Sequence, residues 1–357
     1  MLNKDPLARI MYGSRELFHS NVLAWLLDSF PELASLFDLV GTENPIGGES
    51  STKPVVRREY LNLDLYIEHK HGASIAIENK VFSLPRTDQL DKYSTRLASK
   101  KGPIPSGILL SLSGPGWETH SSSPMGVGVV WRPLSYGQLA DRLQMRLPGA
   151  CPGKSYELET AHRYVNLIRH LQEVANLVNV DDDGEPVFLA SELPNHIDRQ
   201  FVAAIAKLRA HMVISHLTSK IPESAVERTA GAGMSNGTPI VEMSYRKNAL
   251  SRAHRYGWQM QGSQLRLCAV LPDLAGRSHV ARTNRIEWGT ENAHLFDFSQ
   301  ITPLTGGERT VRPDSFNRFD PDFIYRYILT PDLTVGQLTD VARQRQHEVE
   351  EAILLSN

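Results

Sequence analysis

Asp64, Glu78 and Lys80 are charged residues set inside apolar runs that read as strands. Leu61, Leu63, Leu65 and Ile67 alternate with Asn62, Asp64 and Tyr66. A loop around Lys70 to Ala73 follows, and then Ile75 and Ile77 alternate with Ala76, Glu78 and Lys80. Side chains on a strand point to opposite faces with period two. Glu78 and Lys80 therefore share a face, and Asp64 lies on the polar face of the preceding strand. If the two segments pair as neighbours, two carboxylates and one ammonium converge. Carboxylates buried side by side cost free energy unless a cation joins them. A hard divalent ion held by carboxylates and water is the usual solution, and it suits metal-assisted phosphodiester hydrolysis. Gln89 and Tyr93 are four residues apart, so they stack on one side of the helix expected next and could position a phosphate or a water. The triplet Glu78-Asn79-Lys80 is weak by itself, since a chain of this size holds such a triplet by chance about once. Its blandest reading is a strand end with two solvated charges.

The elements that must position these residues are legible in outline. Residues 14–29 read as an amphipathic helix capped by Ser14, with Phe18, Val22, Trp25, Leu26 and Ser29 on its apolar face. Pro31 ends it or opens a short helix through Leu39. Residues 40–54, rich in Gly and Pro, read as a loop. Strands follow at Val55 to Tyr60, Leu61 to Glu68 and Ala73 to Val81. A turn at Pro85 to Asp88 leads into a helix ending near Ser99. Ile108 to Leu112 reads as a strand buried on both faces. After a loop at 113–125 come a strand at Val127 to Trp131 and helices near 135–146 and 155–177. Trp25 and Trp131 read as core. The acidic stretch beginning Asn179-Val-Asp-Asp-Asp-Gly-Glu-Pro186 reads as a linker. It lacks the glutamate that closes a calcium loop. The expected organisation is a first domain over 1–178, a linker over 179–194 and a second α+β domain over 195–357. That second domain begins with a long helix at 195–219. Strands follow at 239–246, 256–262, 264–271 and 322–329, and a last helix at 335–354.

Composition narrows the class. The chain has 357 residues, 41% of them hydrophobic and 22% charged, which is ordinary for a globular protein. It has no apolar run long enough to span a membrane and no apolar core of a secretory signal near the N-terminus. Two cysteines, Cys151 and Cys268, are too few for a disulfide scaffold or a thiolate zinc site. A cytoplasmic location is expected. The formal net charge of −2 counts against coating nucleic acid, and leaves room for contact through one local groove. Lys92 and Arg96, with Lys100 and Lys101, form a basic stripe that reads as a solvated helix face or a phosphate-contacting rim. His19 reads as a hydrogen-bonded structural histidine. Arg277, Arg282 and Arg285 read as ordinary surface charge.

The order Glu16, Glu59, Asp64, Glu78-Asn79-Lys80, Gln89-Leu90-x-x-Tyr93 resembles the PD-(D/E)XK nuclease superfamily. Glu16, His19-Ser20 and Leu23-Ala24-Trp25-Leu26-Leu27-Asp28 narrow the likeness to a subfamily with that N-terminal helix, followed by Ile-Glu-Asn-Lys and Gln-Leu-x-x-Tyr. The resemblance covers roughly residues 14–140. It implies an α/β, restriction-endonuclease-like core of helix, mixed β-sheet, helix and strand. It also implies a nuclease using Mg²⁺ or Mn²⁺, which suit oxygen ligands better than Zn²⁺ does. By the same resemblance Asp64 and Glu78 are the metal-binding acids, and the Asn79 backbone carbonyl is a further ligand. Lys80 orients the attacking water, Gln89 and Tyr93 are the accessory polar pair, and Glu16 or Glu59 completes the metal shell. The sequence departs from the family pattern at Leu63, where the family name has proline before the acid. Relatives serve restriction, repair and anti-phage defence, so DNA is the implied substrate. A homodimer would let two active sites cut both strands. The alternative is a nuclease-like binding or regulatory protein that is inactive without a partner or a trigger.

Overall fold

In the computed structural model the described residues are Leu7, Met11, 15–37, 53–69, 74–84, 87–100, 102–114, 120–121, 128–189, 199–224, 226–246, 254–306, 311 and 315–355. The Ser14 cap, the loop from 40 to 52, the Lys70 to Ala73 loop and Pro85-Arg86 lie outside them, as do Lys101, most of the 113–125 loop and linker residues 190–194. The chain divides into two compact units, Met1–Val178 and Asn179–Asn357.

The first unit runs α1 (Arg15–Ser29), a 3-10 helix (Pro31–Phe37), β1 (Val55–Tyr60), β2 (Leu63–Glu68), β3 (Ile75–Lys80) and α2 (Thr87–Ala98). It continues with β4 (Ser106–Ser111), β5 (His120–Ser121), β6 (Val130–Ser135), α3 (Tyr136–Arg146) and α4 (Ser155–Leu177). The strands form one mixed sheet in the order β1-β2-β3-β4-β6-β5. β2 is antiparallel to β1 and β3, whereas β3–β4 and β4–β6 are parallel. Ile108, Leu109 and Leu110 of β4 are fully buried, as a parallel strand covered on both faces must be. On one face α2 packs Leu90 and Leu97 over Leu63, Tyr66, Ala76 and Trp131. The side chain of Asn79 marks the other face, where it meets α1 and α3.

Three expectations change here. Leu61 does not begin β2. With Asn62 it forms the turn of the β1–β2 hairpin, at φ of 58° and 65°, a left-handed pair whose twist matches that of the strands. The strand expected at Val127 to Trp131 is shifted to Val130–Ser135, because pairing with β4 from Gly107↔Trp131 to Ser111↔Ser135 sets its bounds. α1 is rotated from its expected face. His19, Ser20, Leu23, Leu26 and Leu27 are buried, while Phe18, Val22 and Trp25 are partly exposed. The polar pair turns inward because Asn79 and Tyr164 wait there as partners, so Trp25 is not core. Trp131 is: its ring is buried and its Nε1 donates to Ser94 Oγ at 2.9 Å.

The second unit contains α5 (Arg199–Lys220), β7 (Glu227–Ser235), β8 (Thr238–Arg246), β9 (Arg255–Gln261) and β10 (Gln264–Val270). It continues with α6 (His279–Glu291), β11 (Asn317–Phe319), β12 (Phe323–Leu329) and α7 (Val335–Leu355), with 3-10 helices at Pro272–Leu274 and Ala293–Phe296 and a one-turn helix at Thr302–Thr305 between β10 and β11. Its sheet has the order β11-β12-β10-β9-β8-β7, antiparallel throughout. Val241, Met243, Trp258, Met260, Leu265, Leu267, Ile324 and Ile328 form its buried face. β7 and α6 were not expected, since ERTAGAGMS has no apolar alternation and becomes strand by pairing with β8.

Two charged features of this unit correct the sequence reading. Arg285 is not surface charge. It is fully buried, with Asp320 at 2.6 Å and the carbonyls of Leu274 and Gly276 as acceptors. The stretch read as a linker from Asn179 is, through its described part, built into the second unit. The buried Arg209 guanidinium donates to the Asn179 carbonyl, to Pro186 O at 2.6 Å and to Glu185 at 2.9 Å. Pro186 bridges to Thr334. A buried cation needs acceptors, and this segment supplies them.

Candidate active site

The carboxylates meet where β2 begins and β3 ends. The β2–β3 register pairs Leu65 with Ile77, and one further step puts Asp64 opposite Glu78. The ladder stops there, and the Asp64 carboxylate accepts the Asn79 backbone N–H at 2.7 Å. Glu78 is buried, and its Oε1 accepts from Lys80 Nζ at 3.0 Å and from Gln89 Nε2 at 2.9 Å. Gln89 Nε2 also donates to the Tyr93 hydroxyl at 2.7 Å, so the two polar residues of α2 act as one unit. Glu16 reaches in from the first turn of α1. Its Oε2 lies 3.6 Å from Lys80 Nζ, and its Oε1 accepts from Ser83 Oγ at 3.0 Å.

Asn79 sits in the middle of these contacts. Its side-chain amide donates to the Glu16 carbonyl at 3.0 Å and to Ser20 Oγ at 3.2 Å, and its amide oxygen accepts from the Tyr136 hydroxyl. One residue therefore ties α1, α3 and the carboxylate of Asp64 to the same strand end. Ser20, Ser83 and Tyr136 are supporting residues that the sequence reading missed. Ser20 had a signal, being four residues from Glu16 on one face of a helix. Tyr136 had none, because its contact closes over a long stretch of chain. His19 is buried between Tyr164, which it meets at 3.0 Å, and Met11 Sδ at 3.1 Å. Burial pushes its pKa down to about 3, so it stays neutral and structural.

Burial pushes the Glu78 carboxyl up to about 7; the Lys80 ammonium works against that shift, and the Asp64 charge adds to it. Burial raises Asp64 too, opposed by the Asn79 N–H and by Lys80. Burial by itself would lower Lys80, but the Glu78 and Glu16 carboxylates outweigh it and hold the ammonium charged. With both acids ionised, Glu78 Oε2 is buried without a donor. A hydrogen bond between Asp64 and Glu78 forms only when one of them holds a proton. Three carboxylates against one ammonium leave this cluster two charges negative when all are ionised. Those features fit a hard divalent cation. Among the described residues no three His, Cys, Asp or Glu side chains form a ready metal shell. The Asp64–Glu78 pair would by itself be enough for an ion such as Mg²⁺, which is commonly held by one or two carboxylates with water and substrate phosphates as its other ligands.

Glu59 is not brought into this cluster. It is exposed on edge strand β1 at φ 52°, skipped by the register that pairs Arg58 with Leu65 and Tyr60 with Leu63. The register is the same on both sides of it, so Glu59 stands opposite Asp64, and among the described residues its exposed carboxyl has no hydrogen bond or ion pair to the cluster. Lys92 and Arg96 are exposed on α2. Arg96 lies over the Tyr93 ring at 6.0 Å and donates to Leu61 O at 3.4 Å, so it flanks the site without joining the carboxylates. No described helix is long and apolar enough to cross a membrane.

Residues 6–108 match the family profile described as the PD-(D/E)XK nuclease superfamily. The matched stretch contains Glu16, Asp64, Glu78, Lys80, Gln89 and Tyr93. The order of helix, mixed sheet, helix and strand agrees with a restriction-endonuclease-like core. The comparisons found no matching curated protein and no matching solved structure.

Proposed function

From that match and the geometry of the strand ends, we propose that this protein is a metal-dependent nuclease that hydrolyses phosphodiester bonds in DNA. One observation carries the reading. Glu78 is a buried carboxylate tied to an ammonium and an amide, with its second oxygen left without a donor. Asp64 and Glu78 would hold Mg²⁺ or Mn²⁺, with Glu16 and the Asn79 carbonyl as further oxygen ligands. The bound ion supplies a water of lowered pKa and neutralises charge on the phosphoryl oxygens. Lys80 remains an ammonium and so donates to the attacking water, orienting it toward phosphorus. The Tyr93 hydroxyl already accepts from Gln89, which leaves its own proton to donate to a phosphate oxygen. Lys92 and Arg96 flank that path as phosphate contacts.

The test is a cleavage assay on plasmid, linear duplex, single-stranded DNA and RNA with Mg²⁺, Mn²⁺ or EDTA. Wild type is expected to cut DNA only with a metal ion, and Glu78→Ala to cut at least ~10²-fold more slowly, as for loss of a main electrostatic group. Undiminished cleavage by a folded Glu78→Ala protein would remove the site assignment. An inactive wild type on every substrate would overturn the nuclease reading in favour of a partner-dependent protein.

A further inference from the structure

The sheet of the second unit has two unlike faces. The helices α5, α6 and α7 belong to the face of Trp258, Met260 and Ile324. No described helix of this unit has been placed on the opposite face. There Phe323, Tyr325 and Tyr327 stand on alternate positions of β12, with ring centroids 5.6 Å and 6.2 Å apart. Phe319, which pairs with Phe323 across β11–β12, is 72% exposed.

The Arg266 guanidinium lies 4.5 Å from the Tyr325 ring centroid. It is held in place by Gln264 Oε1 at 2.6 Å and Gln259 Oε1 at 2.8 Å. Neither partner is charged, and among the described residues no carboxylate pairs with this cation. Gln259 in turn donates to Glu242 at 2.7 Å at the far end of the row.

We infer that this face binds single-stranded nucleic acid. A column of rings offers successive unpaired bases a stacking platform. Base–aromatic stacking tolerates any sequence because every base has a π-face. An arginine fixed among the rings, with no counter-carboxylate, complements a phosphate or stacks on a base. Gln264 holds Arg266 through its amide oxygen, and its amide N–H₂ can meet a base edge. Two-fold pairing of the face with a second copy would instead bury that uncompensated cation close to its own image, where like charges repel. The choice of nucleic acid as occupant rests on the nuclease reading of the first unit, while the residues of this face all belong to the second.

The test is fluorescence anisotropy in EDTA, so that binding is read without cleavage. The full chain is titrated with labelled single-stranded DNA, single-stranded RNA and a duplex of the same sequence. Wild type is expected to bind single strands. Tyr327→Ala and Arg266→Gln are each expected to weaken that binding about 5- to 100-fold, leaving duplex binding unchanged. Phe319→Ser changes an exposed side chain, so it keeps the test valid if the other variants fail to fold. No single-strand binding by wild type, or unchanged affinity in Phe319→Ser and Arg266→Gln, overturns the inference. So does a dimeric wild type that Phe319→Ser makes monomeric without altering oligonucleotide affinity. Single-strand binding through this face by a chain that cuts nothing sustains the inference while the nuclease reading falls.

Discussion

A carboxyl buried beside another carboxyl answers to pH before it answers to a metal. The folded protein holds Glu78 near 7, above the 4.5 of a free side chain. Between those values the native state binds more protons than the unfolded one, so stability falls as pH rises. Stability from this group is fully present below 4.5 and is lost as pH rises through about 7. Glu78→Gln should remove that dependence, since an amide can accept from Lys80 and Gln89 and donate toward Asp64. Metal-free wild type and Glu78→Gln should unfold with similar free energies at pH 5. At pH 9 the variant should be the more stable by ~2–3 kcal/mol. Urea titrations in EDTA at the two pH values decide it, and an equal difference at both would refute the assignment. At this scale the convergence of Asp64, Glu78 and Lys80 was legible, because period-two alternation puts Glu78 and Lys80 on one face and pairing of the two strands brings Asp64 beside them. It could not reveal Ser83 or Tyr136, whose roles depend on chain segments that meet only after folding. Glu59 stands opposite Asp64 with its side chain exposed, and a strand pattern alone does not tell an exposed edge position from a covered one.

At the scale of elements, the position of α2 depends on a glycine. An added Cβ on Gly107 of β4 would lie 2.7 Å from the Trp131 ring and 2.8 Å from Val129. Both neighbours are fully buried, and the indole is anchored to Ser94 of α2. Gly107→Ala should therefore overpack the layer between sheet and helix and cost ~1–3 kcal/mol. Because α2 carries Gln89 and Tyr93, cleavage should fall with it. A variant with wild-type stability by thermal melting would show that Trp131 can move aside. β3 and β4 were read from apolar patterns of their own, and α2 from the turn at Pro85 to Asp88 that opens it. β6 and β7 were misjudged for one shared reason: their bounds come from the neighbouring strand, not from their own residues. α1 shows the same limit on a helix. Its apolar stripe pointed to Trp25, but buried acceptors and donors for His19 and Ser20 turned it elsewhere.

For the whole molecule, the question is where the second unit begins. Composition drew the boundary as a linker over 179–194, because the acidic patch with Gly and Pro at 179–186 looks like solvated chain. Arg209 gives a different answer. Its guanidinium is 2% exposed and takes its acceptors from Asn179, Glu185, Pro186 and Val187. A fragment starting at residue 179 keeps all of them, and one starting at residue 190 takes these four residues' acceptors away from a buried cation in α5. Removing the partner of a buried charge costs ~3–5 kcal/mol. The 190–357 fragment should thus melt well below the 179–357 fragment, if it folds at all. Arg209→Met, which fills the space without a charge, should recover most of the loss in the shorter fragment and gain nothing in the longer one. Equal melting temperatures for the two fragments would mean that solvent can replace these acceptors, and the boundary would then move back to the position that composition suggests.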